Sequence, residues 1–125
     1  MIRGLPGHLT SVTPHPPVAR TATGDSASVD LKDYIGEVLV YLNVGTVAGT
    51  DTPTLTVALH DSANDSAFAA LSPAVAFTAK TATGQQAISL DTRQCRRYLR
   101  AAYTISGTNP SFTFSVCVHG RKQAQ

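Results

Sequence analysis

"EVLVYLNVGTVAGTDTPTLTVALHDSANDSAF" (Glu37–Phe68) is the stretch whose reading decides the fold. In its opening run, Val38, Val40, Leu42 and Val44 fall on one side, and Leu39, Tyr41 and Asn43 on the other. A Gly/Thr/Asp/Pro loop interrupts. Then "TLTVALH" (54–60) alternates again, with Leu55, Val57 and Leu59 inward and Thr54, Thr56, Ala58 and His60 outward. A period of two is the mark of a strand with one buried face. The stretch closes on "HDSANDS" (60–66), where His60, Asp61 and Asp65 are metal-ligand or catalytic types. An EF-hand needs oxygens at alternate positions and a closing glutamate, and both are lacking. Zinc needs three or four converging ligands, and the nearest cysteine lies 30 residues further on. Asp and Asn cap local amides and tolerate tight dihedrals, so the cluster reads as a turn.

Working outward, the same alternation recurs. Val29 and Leu31 share a face in "ASVDLKDY" (27–34). "AVAFTA" (74–79) and "QAISL" (86–90) read as short strands, and another fits near Val18–Ala22. "RRYLRAAYTIS" (96–106) separates Leu99, Ala101, Tyr103 and Ile105 from Tyr98, Arg100, Ala102 and Thr104. "SFTFSVCVHG" (111–120) sends Phe112, Phe114, Val116 and Val118 inward, and Thr113, Ser115, Cys117 and His119 outward. Sustained helical periodicity is missing; "DSAFAALS" (65–72) is the one stretch suited to a single helical turn.

A weak internal repeat is visible. "YLNVGTVAGTDTPTLTVAL" (41–59) and "YLRAAYTISGTNPSFTFSV" (98–116) share a layout of strand, Gly-Thr-polar-Pro loop and alternating strand. Gly49 and Gly107 supply permissive dihedrals, Pro53 and Pro110 end the loops, and each copy is expected to form a hairpin. Evenly spaced antiparallel strands with one apolar face close as a sandwich. An immunoglobulin-like sandwich places a tryptophan between two core cysteines. This chain has no tryptophan, and Cys117 falls on the polar face. The expectation is an all-β protein: one antiparallel β-sandwich of jelly-roll type with about eight strands.

With 125 residues, one domain is expected. Apolar residues make up 42% and charged residues 14%, which places the chain among globular proteins. Ala, Thr and Ser supply 17, 16 and 10 residues, an excess that suits sheet surface. Residues 1–24 hold Pro6, Pro14, Pro16 and Pro17, and read as an extended arm, frayed or docked. The sandwich is assigned to 25–120 and a basic, polar tail to 121–125.

Net charge is +2 but lopsided. Residues 91–125 carry Arg93, Arg96, Arg97, Arg100, Arg121 and Lys122 against Asp91, a net of +5; residues 1–90 carry four basic and seven acidic side chains, a net of −3. Opposed charge regions suit a charged partner or a second copy of the chain. No apolar run approaches the roughly 18 residues of a membrane span. The first 17 residues lack a signal-peptide core, so a reducing cytoplasm is expected until release.

The motif search returns little chemistry. There is no G-x-S-x-G elbow, no P-loop and no dinucleotide fingerprint, and the two "TATG" runs (21–24, 81–84) read as turns. One glutamate and seven aspartates show no pairing suited to glycoside chemistry. Cys95 sits among Arg93, Arg96 and Arg97, whose charge would favour a thiolate; a free loop thiol is the plainer reading. "RQCRRYLR" (93–100) has basic and aromatic residues suited to stacking on nucleic acid. A net charge of +2 argues against that. Arg and Tyr are both enriched at protein interfaces, so Arg93, Arg96, Arg97 and Arg100 are taken as a candidate protein-contact group. No catalytic residue, cofactor or metal is expected.

The run "VDLKDYIGEVLVYLNVGTVAGTDTPTLTVALHDSANDSAF" with "RRYLRAAYTISGTNPSFTFSV" resembles small virion proteins of tailed bacteriophages. The shared layout is a D-x-x-x-Y start, an "LNVGT" strand end, "PTLTV-L-DS" and "RYLRA-YTISGT-PS", over about residues 25–118. Such decoration, or cement, proteins of short-tailed phages such as the Bordetella phage are jelly rolls on the capsid exterior. The resemblance implies a non-enzymatic structural protein that stabilises contacts between major capsid subunits of HK97-like fold. It implies assembly in the host cytoplasm and a place in the virion, with no membrane and no nucleic-acid partner. Self-association as a symmetric dimer is expected on grounds of economy. The arm residues Arg3, Leu5, Pro6, His8 and Leu9 join the four arginines as expected contact surfaces. The competing reading is a tail, baseplate or host-surface module that binds carbohydrate.

Overall fold

The computed structural model describes residues 9–71 and 74–122, with the side chains of 9, 10 and 122 left aside. The chain is all-β. Its strands are β1 (Leu9–Arg20), β2 (Gly24–Asp25), β3 (Val29–Asp30), β4 (Tyr34–Ser62), β5 (Ala69–Ala70), β6 (Gly84–Asp91) and β7 (Tyr98–Lys122). One 3₁₀ turn, Thr92–Gln94, is capped by the Asp91 side chain, which accepts from Arg93 N.

The two copies of the internal repeat do not form separate hairpins. Each runs on through its loop as one long strand, β4 of 29 residues and β7 of 25, and the two pair with each other antiparallel from Tyr34↔Lys122 to Ser62↔Tyr98. The expected count of about eight strands becomes seven, because each repeat is one element. The loops survive as irregularities between Val44 and Thr54, where the register shifts repeatedly. The inward positions change there from even (Val38, Val40, Leu42, Val44) to odd (Leu55, Val57, Leu59). β7 changes likewise, from odd (Leu99, Ala101, Tyr103) to even (Phe112, Phe114, Val116, Val118). The paired ribbon therefore folds over and faces itself.

Two layers result. The first is β6, residues 37–44 of β4, residues 114–121 of β7, and β1 at the far edge. The second is residues 54–62 of β4 and 98–106 of β7, edged by β5 and bridges at Ala76 and Lys80 on one side and by β2 and β3 on the other. Both layers contribute to one core. Tyr103 of the second layer meets Phe114 of the first edge-on at 5.1 Å between ring centres. The bend itself is braced. Gly49 and Gly107 take φ of +118° and +115°, and a Cβ on either would stand 2.9 Å from backbone of the opposite loop, at Asn109 and Pro53 respectively.

Two further expectations are corrected. Residues 74–79 are not a regular strand: Ala76 and Lys80 make single bridges and Phe77 is the one residue buried there. Residues 65–72 make no helical turn among the described residues. Bends lead into β5, and Asn64 Oδ1 accepts from the amides of Ser66 and Ala67 in an Asx turn that is not continued as a helix. β1 is an edge strand on β7, and its register slips on either side of His15, where Pro14, Pro16 and Pro17 withhold amide donors.

Candidate functional site

The arginine group sits where the second layer ends. Each of its four members finds an aspartate. Arg93 Nη2 lies 3.0 Å from Asp91, Arg96 Nη2 2.8 Å from Asp61, Arg97 Nη2 2.8 Å from Asp30, and Arg100 Nη2 3.5 Å from Asp25. Three of those aspartates come from the acidic first part of the chain. The lopsided charge is thus met largely inside the molecule.

Asp61 is the anchor. It is buried, and it accepts from Arg96 N at 2.9 Å and from Arg96 Nε and Nη2 at 3.1 and 2.8 Å, while its own carbonyl accepts Nη2 at 2.9 Å. A fork of this kind fixes the guanidinium plane. The remainder of "HDSANDS" is a turn. Ser62 Oγ and Asn64 bond each other, and Asp65 takes φ +59°. Arg97 forks onto Asp30 through Nε and Nη2, which holds the Asp30 carboxyl down at about 2. Arg100 lies 4.0 Å over the Phe68 ring, and its buried Nε has no hydrogen-bond partner among the described residues.

Asp61, Arg93, Gln94, Cys95 and Arg96 line a shallow cleft of about 360 Å³. The arginines do not activate Cys95. Burial comes first, then Asp61 and Asp91, and together they raise its thiol to about 11. The charge argument for a thiolate is overturned, because the arginines are already paired. Among the described residues no group of three or more His, Cys, Asp and Glu side chains could hold a metal. No helix among them is long and apolar enough to cross a membrane.

Of the expected arm contacts, Arg3, Leu5, Pro6 and His8 lie outside the described residues; Leu9 opens β1, opposite Arg121. One residue that the sequence left inside the arm proves central. His15 is 1% exposed and stacks 4.1 Å from Phe114. Its Nδ1 donates to Phe114 O at 3.0 Å, and its Nε2 accepts from Arg20 Nε at 3.3 Å. Burial, then the Arg20 charge, lower its affinity for a proton. Nothing in "TPHPP" (13–17) signals this, since a proline run has no periodicity to read.

The outer face of the first layer is broad and regular. Its rows are Ser89–Leu39–His119, Ala87–Tyr41–Cys117 and Gln85–Asn43–Ser115, read across β6, β4 and β7. Leu39 is 41% exposed there. At one end Glu37, Leu39, Ser89, His119 and Arg121 border a second shallow cleft of about 310 Å³.

No family model matches the chain, and no curated protein matches it. Among solved structures it is similar to the SPBc2 prophage-derived protein YomS, at 14% identity and a TM-score of 0.52, over 90% of this chain and 93% of that one. The likeness is one of fold, and it spans both layers.

Proposed function

We propose that this chain is a non-enzymatic structural protein of a bacteriophage particle, a decoration or cement protein on the outside of the capsid. The observation that carries the reading is the likeness of fold, over nearly the whole chain, to a prophage-derived protein. The partner proposed is the major capsid protein of HK97-like fold, reached after assembly in the host cytoplasm. A protein that binds assembled shell better than free subunits stabilises the shell by mass action. A braced sandwich with a broad outer face poor in charge suits that work, since close contact over such a face needs little rearrangement on binding.

The arginine group enters this reading in altered form. Arg96, Arg97 and Arg100 tie the chain to itself, so alanine at all four positions would mix docking with folding. Arg93 is 85% exposed on its side chain and reports on docking alone. Arg93→Ala is expected to lower shell occupancy with the melting temperature held. The carbohydrate-binding alternative has a thin basis, because Tyr34 and Tyr103 are buried and unavailable for stacking on a sugar.

Quantitative mass spectrometry of purified virions tests the reading. One copy per capsid subunit, or a simple fraction of it, is the expected result. A handful of copies per particle would move the chain to the tail or baseplate, and absence from the particle would overturn the proposal.

A further inference from the structure

Exposed strand edges are templates for pairing, and proteins blunt them with proline, bulges, charge or short length. In this molecule β1 is blunted by Pro14, Pro16 and Pro17 and by two register slips. β2, β3 and β5 are two residues each. From Gly84 to Leu90 β6 is blunted by none of these devices. It runs eight residues, "GQQAISLD" (84–91), pairs in unbroken register with β4 and has no backbone partner on its other side among the described residues. From Gly84 to Leu90 it carries no charge and no proline.

We propose that β6 pairs antiparallel with β6 of a second copy, joining two first layers into one continuous sheet about a two-fold axis. The ends of the strand favour that arrangement. The Lys80 ammonium lies beside Gly84, 3.7 Å from where a Cβ would stand, and makes no ion pair among the described residues. Asp91, which also pairs with the exposed Arg93, closes the other end, with Glu37 opposite it on β4. Antiparallel pairing sets each Lys80 near the partner's Asp91, twice over. Parallel pairing would set like ends together.

The pleat then limits the register. Opposed residues must share a face, so the axis passes through Ala87 or through Ile88. In the first case Ala87 faces its own copy and Gln86 faces Ile88. In the second, Ile88, which is only partly buried against the core, meets its own copy and loses its remaining exposure. In both cases the outer faces merge into one surface of doubled width. The inference stands on the sheet edge and does not depend on the particle role, so its test uses the purified chain alone.

Analytical ultracentrifugation across a concentration series, with hydrogen exchange on the same samples, reads it out. The expected result is a species of twice the chain mass, with exchange at residues 85–90 slowing as the dimer fills and exchange in β1 unchanged. Ala87 is exposed on the outer face, so Ala87→Lys spares the fold while placing like charges across the axis. It should weaken the dimer by roughly fivefold, and mixing it with Ala87→Glu should restore association. A chain that stays monomeric up to about 100 μM overturns the proposal. So does a dimer whose concentration-dependent protection falls outside β6, or one indifferent to both Ala87 variants.

Discussion

Asp61 shows how a residue chosen by chemistry can serve architecture. The sequence reading places it in a polar turn; in the structure the turn begins only after Ser62, and Asp61 is a buried residue of β4 opposite Leu99. The period of two carries on past "TLTVALH" and makes Asp61 the next inward position, but nothing local names the arginine far along the chain that it meets. Its carboxylate meets three donors of Arg96. Asp61→Ala takes the carboxylate from Arg96 Nε and from the Arg96 backbone amide, leaving the guanidinium only the Asp61 carbonyl. It should cost about 2–3 kcal/mol, on the scale of a charged hydrogen bond left unmade, read as a lowered urea midpoint at constant slope. Asp61→Asn, which keeps the shape and some acceptors, should cost less.

His15 acts in a different window. Its folded-state pKa lies below the ordinary 6.5, so between those two values the unfolded chain binds the extra proton. Stability is full above 6.5 and falls as pH drops through that interval, by no more than about 1.4 kcal/mol per pH unit for one proton. Protonation would set Nε2–H against the Arg20 guanidinium. Urea unfolding at pH 7.5 and 5.5 should show the loss, and His15→Phe should flatten the pH dependence. Asp30 works further down. Its carboxyl is held at about 2 against an ordinary 3.8, so its contribution persists to much lower pH and is lost only as pH falls across that range.

At the scale of elements, the repeat was legible and its pairing was not. Two similar strand–loop–strand units suggest two hairpins, because a Gly-Thr-polar-Pro loop usually reverses a chain. Here Asp51, Thr52 and Asn109 adopt positive φ, and both loops become bulges that bend a ribbon without ending it. Propensity speaks for each loop alone, whereas the outcome depends on both loops lying side by side. Gly107→Ala tests that brace. It meets the strain of φ +115° and a clash with the Pro53 backbone. A loss of about 2 kcal/mol or more is expected by calorimetry, and Gly49→Ala should match it.

At the scale of the molecule, the inward faces were read correctly strand by strand, since a period of two needs no knowledge of neighbours. The charge asymmetry was seen but referred outward to a partner. Its resolution is internal, because the strands carrying the arginines lie against the segments carrying the aspartates. Because β4 and β7 belong to both layers, neither layer holds a private set of strands. A single cooperative transition is expected, with exchange at Val40–Val44 and at Leu55–Leu59 sharing one unfolding free energy. A layer that opened separately would contradict the pairing described.

The placement of Leu9 opposite Arg121 has a mechanical side. Tension entering through the two ends of the described chain arrives at one corner of the first layer, across neighbouring antiparallel strands. It loads their hydrogen bonds one after another, like the teeth of a zip, and the first firm catch it meets is the ring of His15 wedged beneath Phe114. Pulled lengthwise along the straight run 37–44 of β4 instead, the same molecule presents the teeth of that run at once. Its resistance to force is therefore a matter of direction, low at the corner where the ends lie and high along that run.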